Sequence, residues 1–155
     1  MYKRVLLPLD GSTTAEAIVP FLLEIAGPLD MEVTLLRVVV PTPQTGIEAG
    51  VVDDIAAVQS DAEQYLAAIA AELRAKGVRV KALVRVGQAV PEILAGAREA
   101  EADLIAMTTH GRGGLGRLLF GSVAEAVLRR AEMPVFLLRQ TKEQVAARAA
   151  WEAVR

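Results

Sequence analysis

A glycine-rich stretch is the part of this sequence best suited to hold a ligand. Four glycines follow an apolar segment at 104–107: Gly111, Gly113, Gly114 and Gly116. Glycine has no side chain to keep a ligand away from the backbone. Ser122, followed three residues later by Glu125, predicts a capping box, so a helix should begin there with its free N–H groups facing the loop. A strand, a glycine loop and a helix N-terminus together predict an anion site, most often used for phosphate.

Several side chains of this region have a structural and a functional interpretation. Ser122 could cap its helix, bind a ligand, or do both. Asp10, in the turn Asp10-Gly11-Ser12, could end a strand or contact a ligand. His110 has no carboxylate beside it in sequence and is interpreted as a turn residue rather than a base. Arg112 could pair with phosphate or be solvated.

Two familiar phosphate-binding motifs do not account for the loop. Residues 111–116 read G-x-G-x-x-G, but a dinucleotide fingerprint belongs to the first strand-to-helix turn and needs an acidic residue about 20 positions on. Here the next predicted strand ends in Leu138-Arg139-Gln140. The P-loop pattern G-x-x-x-x-G-K-[ST] is absent too, because Arg117 and Leu118 follow Gly116.

Composition limits the class of protein and its partners. The 155 residues are 53% hydrophobic, which is enough for one domain with a sizeable core. The absence of cysteine excludes disulfides, thiolate metal sites and a cysteine nucleophile, and it fits a reducing compartment, so we expect the cytoplasm. No apolar run is long enough for a signal peptide or a membrane span. The 17 basic and 19 acidic residues give no field that would attract nucleic acid, so the expected partner is a small molecule or a second copy of the chain.

The apolar pattern alternates between strands and helices along the chain. Strands are predicted at 5–9, 33–40, 78–86, 104–107 and 135–138, with the third at an exposed edge. Helices are predicted between them with these start signals: a capping box from Thr13 to Glu16, a cap at Asp53 or Asp54, Pro91 as a first helical residue, and Ser122. Pro20 should bend the first helix, and Gly77 should end the longest one, whose apolar stripe runs through Ile55, Val58, Ala62, Leu66, Ile69 and Leu73.

This alternation predicts an α/β fold: a doubly wound, five-stranded parallel sheet in the order 3-2-1-4-5, with helices on both faces. Ligands of such sheets lie beyond the carboxyl ends of the strands, where the strand order changes direction. That rule brings together Asp10, the residues from Val38 to Val40, and the glycine loop.

The same residues resemble those of the universal stress protein family. Its ATP-binding members have G-x-x-G, nine residues and G-[ST] after the fourth strand, and Gly111, residues 112–120 and Gly121-Ser122 reproduce the second half of that pattern. Pro8-Leu9-Asp10-Gly11-Ser12 resembles the end of the family's first strand. The likeness covers about residues 1–140 and implies a Rossmann-like domain of the adenine nucleotide alpha hydrolase type. Residues 141–155 would then be a helical extension.

The resemblance implies a site for ATP, or for AMP or ADP, with Mg. Asp10 would hold the ribose or adenine side, and the main chain of Val38 would meet the adenine. The full set of nucleotide-binding residues that it implies is Pro8, Leu9, Asp10, Val38, Met107, Thr108, His110, Gly111, Arg112, Gly121, Ser122 and Val123. Thr108 stands where the family pattern has its first glycine, and a β-branched side chain there narrows the space beside the ribose and phosphates.

Two functions stay open on the sequence. One is an ATP-binding regulatory protein of the stress response that acts as a dimeric switch. The other is a nucleotide-free dimeric interaction protein of the same fold. In both, the resemblance and the apolar edge strand at 135–138 predict a homodimer. An enzyme is the third choice, with slow ATP hydrolysis at most, because no second carboxylate accompanies Asp10 near the loop.

Overall fold

The structure is a computed structural model that describes residues 1–41, 51–109 and 121–139, together with residues 150 and 153. For residues 51–54 it describes the backbone alone. The glycine loop, with His110, Gly111 and Arg112, lies outside the described residues, as does most of the predicted extension at 141–155. The predicted domain boundary at residue 140 therefore stays a prediction.

Five parallel strands form one sheet in the order β3-β2-β1-β4-β5, which confirms the predicted fold class. The strands are β1 (Arg4–Pro8), β2 (Glu32–Val39), β3 (Arg79–Val86), β4 (Leu104–Thr109) and β5 (Val135–Arg139). Val5 of the central strand β1 pairs with Val33 on one side and with Leu104 on the other. The strand order therefore changes direction between β1 and β4, where a doubly wound sheet opens a crevice at its carboxyl edge.

Helices cover both faces of the sheet and create two apolar cores. The helices are α1 (Thr13–Glu16), α2 (Ile18–Ala26), α3 (Val51–Ala75), α4 (Ala89–Glu99) and α5 (Ser122–Arg130). The core under α2 and α3 contains Leu7, and the core under α4 and α5 contains Leu6; both leucines are fully buried. Because successive residues of a strand point to opposite faces, the buried middle of β1, Val5 to Leu7, is apolar on both faces.

The first helix begins and ends differently from the prediction. Ser12, and not Thr13, is its N-cap: the Ser12 hydroxyl accepts the N–H of Ala15 at 3.1 Å. The predicted single helix is broken at Ala17 into α1 and α2. Pro20 explains the break, because it has no N–H to donate to Glu16, four residues earlier, and its ring crowds that carbonyl.

The longest helix, α3, starts at Val51, so neither Asp53 nor Asp54 is the flanking cap that the sequence predicts. The predicted apolar stripe is buried from Ala62 to Leu73, whereas Val58, nearer the helix start, is 47% exposed. The predicted stop is confirmed, because Gly77 follows the helix with a φ of +83°, a conformation that glycine adopts without strain.

Two smaller expectations concern α4 and the edge strands. Pro91 is the third residue of α4 rather than the first, still within the first turn, where a missing N–H costs no helical hydrogen bond. Strand β3 is an edge of the sheet, as predicted, and its Lys81 pairs with Glu32 of β2 at 2.8 Å.

Within the described ranges, no helix has the combination of length and apolar character needed to cross a membrane.

Candidate functional site

A cavity of about 210 Å³ opens at the carboxyl ends of β1, β2 and β4. Nine of the twelve residues predicted for a nucleotide site line it: Pro8, Leu9, Asp10, Val38, Met107, Thr108, Gly121, Ser122 and Val123. The other three, His110, Gly111 and Arg112, lie outside the described residues. The topology thus gathers residues that are more than 100 positions apart in the chain around one space.

Sequence reasoning missed part of the apolar side of the cavity. The lining also includes Val40, which the strand-end rule placed near the site, and five residues that were not predicted: Ala15, Leu36, Ala89, Ile93 and Ala124. Leu36, Ile93 and Ala124 also belong to the core under α4 and α5, so this cavity continues the core to the surface. Their apolar spacing in the sequence is that of ordinary core residues, and nothing in it distinguishes a residue that also borders a cavity.

The β2 side of the cavity is apolar. Leu36, Val38 and Val40 come from the end of β2, and Ala89 and Ile93 come from the first turns of α4. Pockets for small molecules are mostly apolar, with a few polar groups that fix the ligand's orientation. A flat apolar ring system therefore suits this side.

Asp10 supplies a carboxylate at the end of β1. Its Oδ1 accepts the N–H of Ser12 at 2.8 Å, so Asp10 shapes the turn and lines the cavity at once. Burial raises the pKa of Asp10, but hydrogen bonds from the side chain and N–H of Ser12, with the charge of Arg37, outweigh it and hold the pKa below its usual 3.8. Asp10 is therefore an ionised acceptor at neutral pH.

Arg37 lies behind the Asp10 turn rather than in the cavity lining. Its guanidinium carbon is 5.8 Å from the centroid of the Tyr65 ring, a cation–π arrangement with α3. Gly11 has a φ of +82°, and a Cβ there would come within 3.3 Å of the Nη1 atom of Arg37. Glycine at position 11 thus allows both the turn and the close approach of Arg37.

The start of α5 faces the cavity without a side-chain cap. Gly121 is the N-cap residue, with φ −61° and ψ 154°, and no side chain accepts a hydrogen bond there. The predicted capping box is wrong, because Ser122 is already the first helical residue and Glu125 pairs with Arg129 at 2.7 Å instead of reaching back. The uncapped N–H groups and the positive end of the helix dipole favour an anion at this place.

Thr108 connects the end of β4 to α1. Its side chain is half-buried, and its Oγ1 donates to the carbonyl oxygen of Ala15 at 3.3 Å. Both residues line the cavity. The hydroxyl is thus directed toward α1, and Thr108 occupies space at the polar side of the site.

Among the described residues, no group of three or more His, Cys, Asp or Glu side chains is placed to hold a metal ion. Asp10 is the acidic residue in the described lining. A single carboxylate is a weak Mg²⁺ site unless ligand phosphates supply further oxygens. In chemical terms, the described lining can bind a ligand that combines a flat apolar part, hydroxyl donors and an anionic group.

The family model of the universal stress protein family matches residues 1–139. The chain belongs to the universal stress protein family. Among curated relatives, universal stress protein MJ0531 of Methanocaldococcus jannaschii is 30% identical over 148 residues, which cover 93% of this chain and 86% of the relative. The sequence resemblance to the family is thereby confirmed.

Solved structures of universal stress proteins share the fold. MJ0577 of M. jannaschii is 28% identical, with a TM-score of 0.74 over 92% of this chain and 99% of that one. More distant likenesses show the fold alone. They include a universal stress protein in complex with cAMP, 23% identical with a TM-score of 0.63 over 90% of this chain and 98% of that one. Another is an Arabidopsis thaliana family member with AMP bound, 17% identical with a TM-score of 0.63 over 91% and 94%.

Proposed function

We propose that this universal stress protein binds an adenine nucleotide, with ATP as the regulatory ligand and AMP and ADP as competitors, in the cavity at the carboxyl ends of β1, β2 and β4. One observation carries the proposal: a single cavity joins an apolar side to an ionised aspartate and an uncapped helix N-terminus. These features correspond to the three parts of a nucleotide, namely the base, the sugar hydroxyls and the phosphates.

Each part of the nucleotide has a chemically suitable partner. The adenine ring would lie against Val38, Val40 and Ile93, where burial of apolar surface stabilises it. The Asp10 carboxylate would accept hydrogen bonds from ribose hydroxyls, and the N–H groups at the start of α5 would meet the phosphates. The cAMP and AMP complexes of relatives support an adenine ligand for this fold.

Regulation would come from occupancy of the site rather than from turnover. Asp10 is the acidic side chain in the described lining, whereas ATP hydrolysis needs a metal site together with a positioned water or base. Mg²⁺ would arrive with the phosphates of the nucleotide. A bound nucleotide would stabilise the ends of β1 and β4 and the start of α5. A partner protein, or the second copy in a dimer, would bind differently to the stabilised form. The cytoplasmic location expected from the sequence stays a prediction.

A second candidate is a nucleotide-free dimeric interaction protein of the same fold. Phe136 on the edge strand β5 is 36% exposed, which favours a contact with another chain. In addition, no arginine or lysine is present in the described part of the cavity lining to offset phosphate charge. In this candidate function, the protein forms a dimer but binds no nucleotide.

Calorimetric titration with ATP, ADP and AMP, each with and without magnesium, tests the proposal. We expect saturable binding by the wild type and, for Ala89→Phe, affinity lower by at least about tenfold, or ~1.4 kcal/mol, because the ring would fill the apolar side of the cavity. Ala68→Phe, at an exposed position of α3, is the matched control and should bind as the wild type does. A wild type that binds none of the three nucleotides would instead support the nucleotide-free candidate.

A further inference from the structure

Helix α1 borders the cavity and is only partly buried, with Ala15 packed against the core under α2 and α3. It is a single turn of four residues, Thr13–Glu16, and none of them is fully buried. Gly11 precedes it in a left-handed conformation, and the break at Ala17 separates it from α2. Isolated turns of this length are not stable in water, so contacts with the rest of the domain must hold α1 in place.

The Thr108–Ala15 hydrogen bond is a contact of this kind. It joins the main chain of α1 to the end of β4 across 93 positions of sequence. Since Ala15 and Thr108 both line the cavity, the bond is one of the contacts that hold α1 close to β4 at the site. Asp10 lies at the other end of the turn that leads into α1, and that turn is fixed to α1 by the Ser12 cap.

We propose that Thr108 is a positioning residue: its hydroxyl holds α1, and with it the Asp10 turn, in the arrangement that binds the ligand. The proposal rests on the proposed function for the identity of the ligand, an adenine nucleotide. If α1 moves away for part of the time, the apparent dissociation constant rises in inverse proportion to the fraction of molecules that keep the competent arrangement. The hydroxyl of Thr108 thus favours a cavity that is formed before the nucleotide arrives.

The neighbouring residue, Thr109, provides an internal comparison. Its Oγ1 donates to the carbonyl oxygen of Leu138 at 3.4 Å, so it makes the same kind of bond on the opposite face of β4. Thr109 is 2% exposed and is not part of the cavity lining. Replacing either threonine by valine removes one hydroxyl at nearly constant shape, but the Thr109 change leaves α1 untouched.

Amide hydrogen exchange in the ligand-free protein measures how often the hydrogen bonds of α1 open. The reporters are the N–H groups of Ala15, Glu16 and Ala17, which are bonded within the Ser12–Ala17 segment. For Thr108→Val, we expect their exchange to accelerate by roughly two- to tenfold, the effect of losing one neutral hydrogen bond. Thr108→Ser, which keeps the hydroxyl, and Thr109→Val should exchange at these three amides as the wild type does.

Calorimetry with AMP and ATP then links the position of α1 to binding. We expect Thr108→Val to weaken both nucleotides to the same extent, by at most the roughly two- to tenfold factor seen in exchange, and Thr108→Ser to restore wild-type affinity. Unchanged exchange in Thr108→Val, with or without weaker binding, would overturn the proposal, because a loss of affinity alone would mean a direct contact with the ligand. Faster exchange with unchanged affinity would also overturn it.

The two proposals fail in different ways. If the wild type binds no adenine nucleotide, the proposed function fails, and the positioning of a nucleotide by Thr108 fails with it. The exchange comparison among Thr108→Val, Thr108→Ser and Thr109→Val would still show whether the hydroxyl holds α1. If the wild type binds nucleotide but exchange does not respond to Thr108→Val, the inference about Thr108 is wrong and the proposed function stands.

Discussion

The carbonyl oxygen of Gly121 accepts the main-chain N–H of Glu125 at 2.9 Å, and this makes Gly121 the residue that flanks the first turn of α5. Ser122 follows it inside the helix, with an exposed side chain that borders the cavity. A serine in the first helical position does not act as the N-cap that accepts a hydrogen bond from the following turn. The Ser122 hydroxyl is therefore available to a ligand.

Comparison of two serines tests this assignment. Ser12→Ala removes a true N-cap and should lower the free energy of unfolding by about 0.5–2 kcal/mol, whereas Ser122→Ala should change it by no more than about 0.5 kcal/mol. If Ser122 donates to a phosphate oxygen, its loss should weaken ATP by roughly ten- to a hundredfold. Urea unfolding and calorimetry of both variants provide the measurements. A stability loss in Ser122→Ala equal to that in Ser12→Ala, with unchanged affinity, would assign Ser122 a structural role.

The fold was predictable because the burial of the sheet leaves a strong mark in the sequence. Strands covered on both faces are short apolar runs, and the helices between them carry an apolar stripe. The two patterns alternate clearly along the chain. The exact starts of helices were less predictable. Ser12 and Thr13 are both good caps, as are Gly121 and Ser122, and the backbone conformation that selects one of each pair depends on packing elsewhere in the domain.

The polar residues of the cavity were predictable, whereas part of its apolar lining was not. Asp10 and Ser122 stand at the ends of recognisable elements, and a known family pattern includes them. Ile93 and Leu36 follow the periodicity of core residues and become cavity residues because α4 and β2 extend the core to the sheet edge. The hydrogen bond from Thr108 to Ala15 joins residues 93 positions apart, and no local pattern reports such a contact.

The pKa of Asp10 predicts how stability depends on pH. A carboxyl group with a lowered pKa in the folded state contributes stability that is present above its unfolded value, near 3.8, and is lost as the pH falls through the folded value. We therefore expect the stability difference between wild type and Asp10→Asn to be constant from pH 7 down to about 5 and to shrink below the usual value of 3.8. Denaturant unfolding of both proteins between pH 7 and pH 3 measures it.

A second variant checks the cause of that lowered pKa. Arg37→Gln removes the positive charge that contributes to it, so the pKa of Asp10 should move back toward 3.8, and an NMR titration of the carboxyl group can follow the change. Because the hydrogen bonds from Ser12 remain, the return should be incomplete. In the pH series described above, a stability difference between wild type and Asp10→Asn that grows as the pH falls from 5 to 3 would mean that folding raises the pKa of Asp10.

The stacked pair Phe21 and Phe136 lies at the sheet edge where we expect a homodimer to form. Their ring centroids are 5.1 Å apart with planes inclined by 10°, so α2 supports the exposed ring of Phe136 at the sheet edge. Among the described residues, β5 pairs with β4 alone, which leaves its outer side open to a strand of another chain. A charge at Phe136 should oppose such pairing, because it would have to be buried in the interface.

We therefore expect Phe136→Lys to shift the protein from dimer to monomer in light scattering at micromolar concentration. Two control variants separate a charge at the β5 edge from an added charge elsewhere and from loss of the aromatic stack. Val58→Lys adds a charge at an exposed apolar position of α3, and Phe21→Leu weakens the aromatic stack by about 0.5–1.5 kcal/mol while leaving Phe136 in place; both should remain dimeric. A wild type that is monomeric across the concentration range would refute the β5 dimer. A Phe136→Lys protein that stays dimeric would move the interface to another surface.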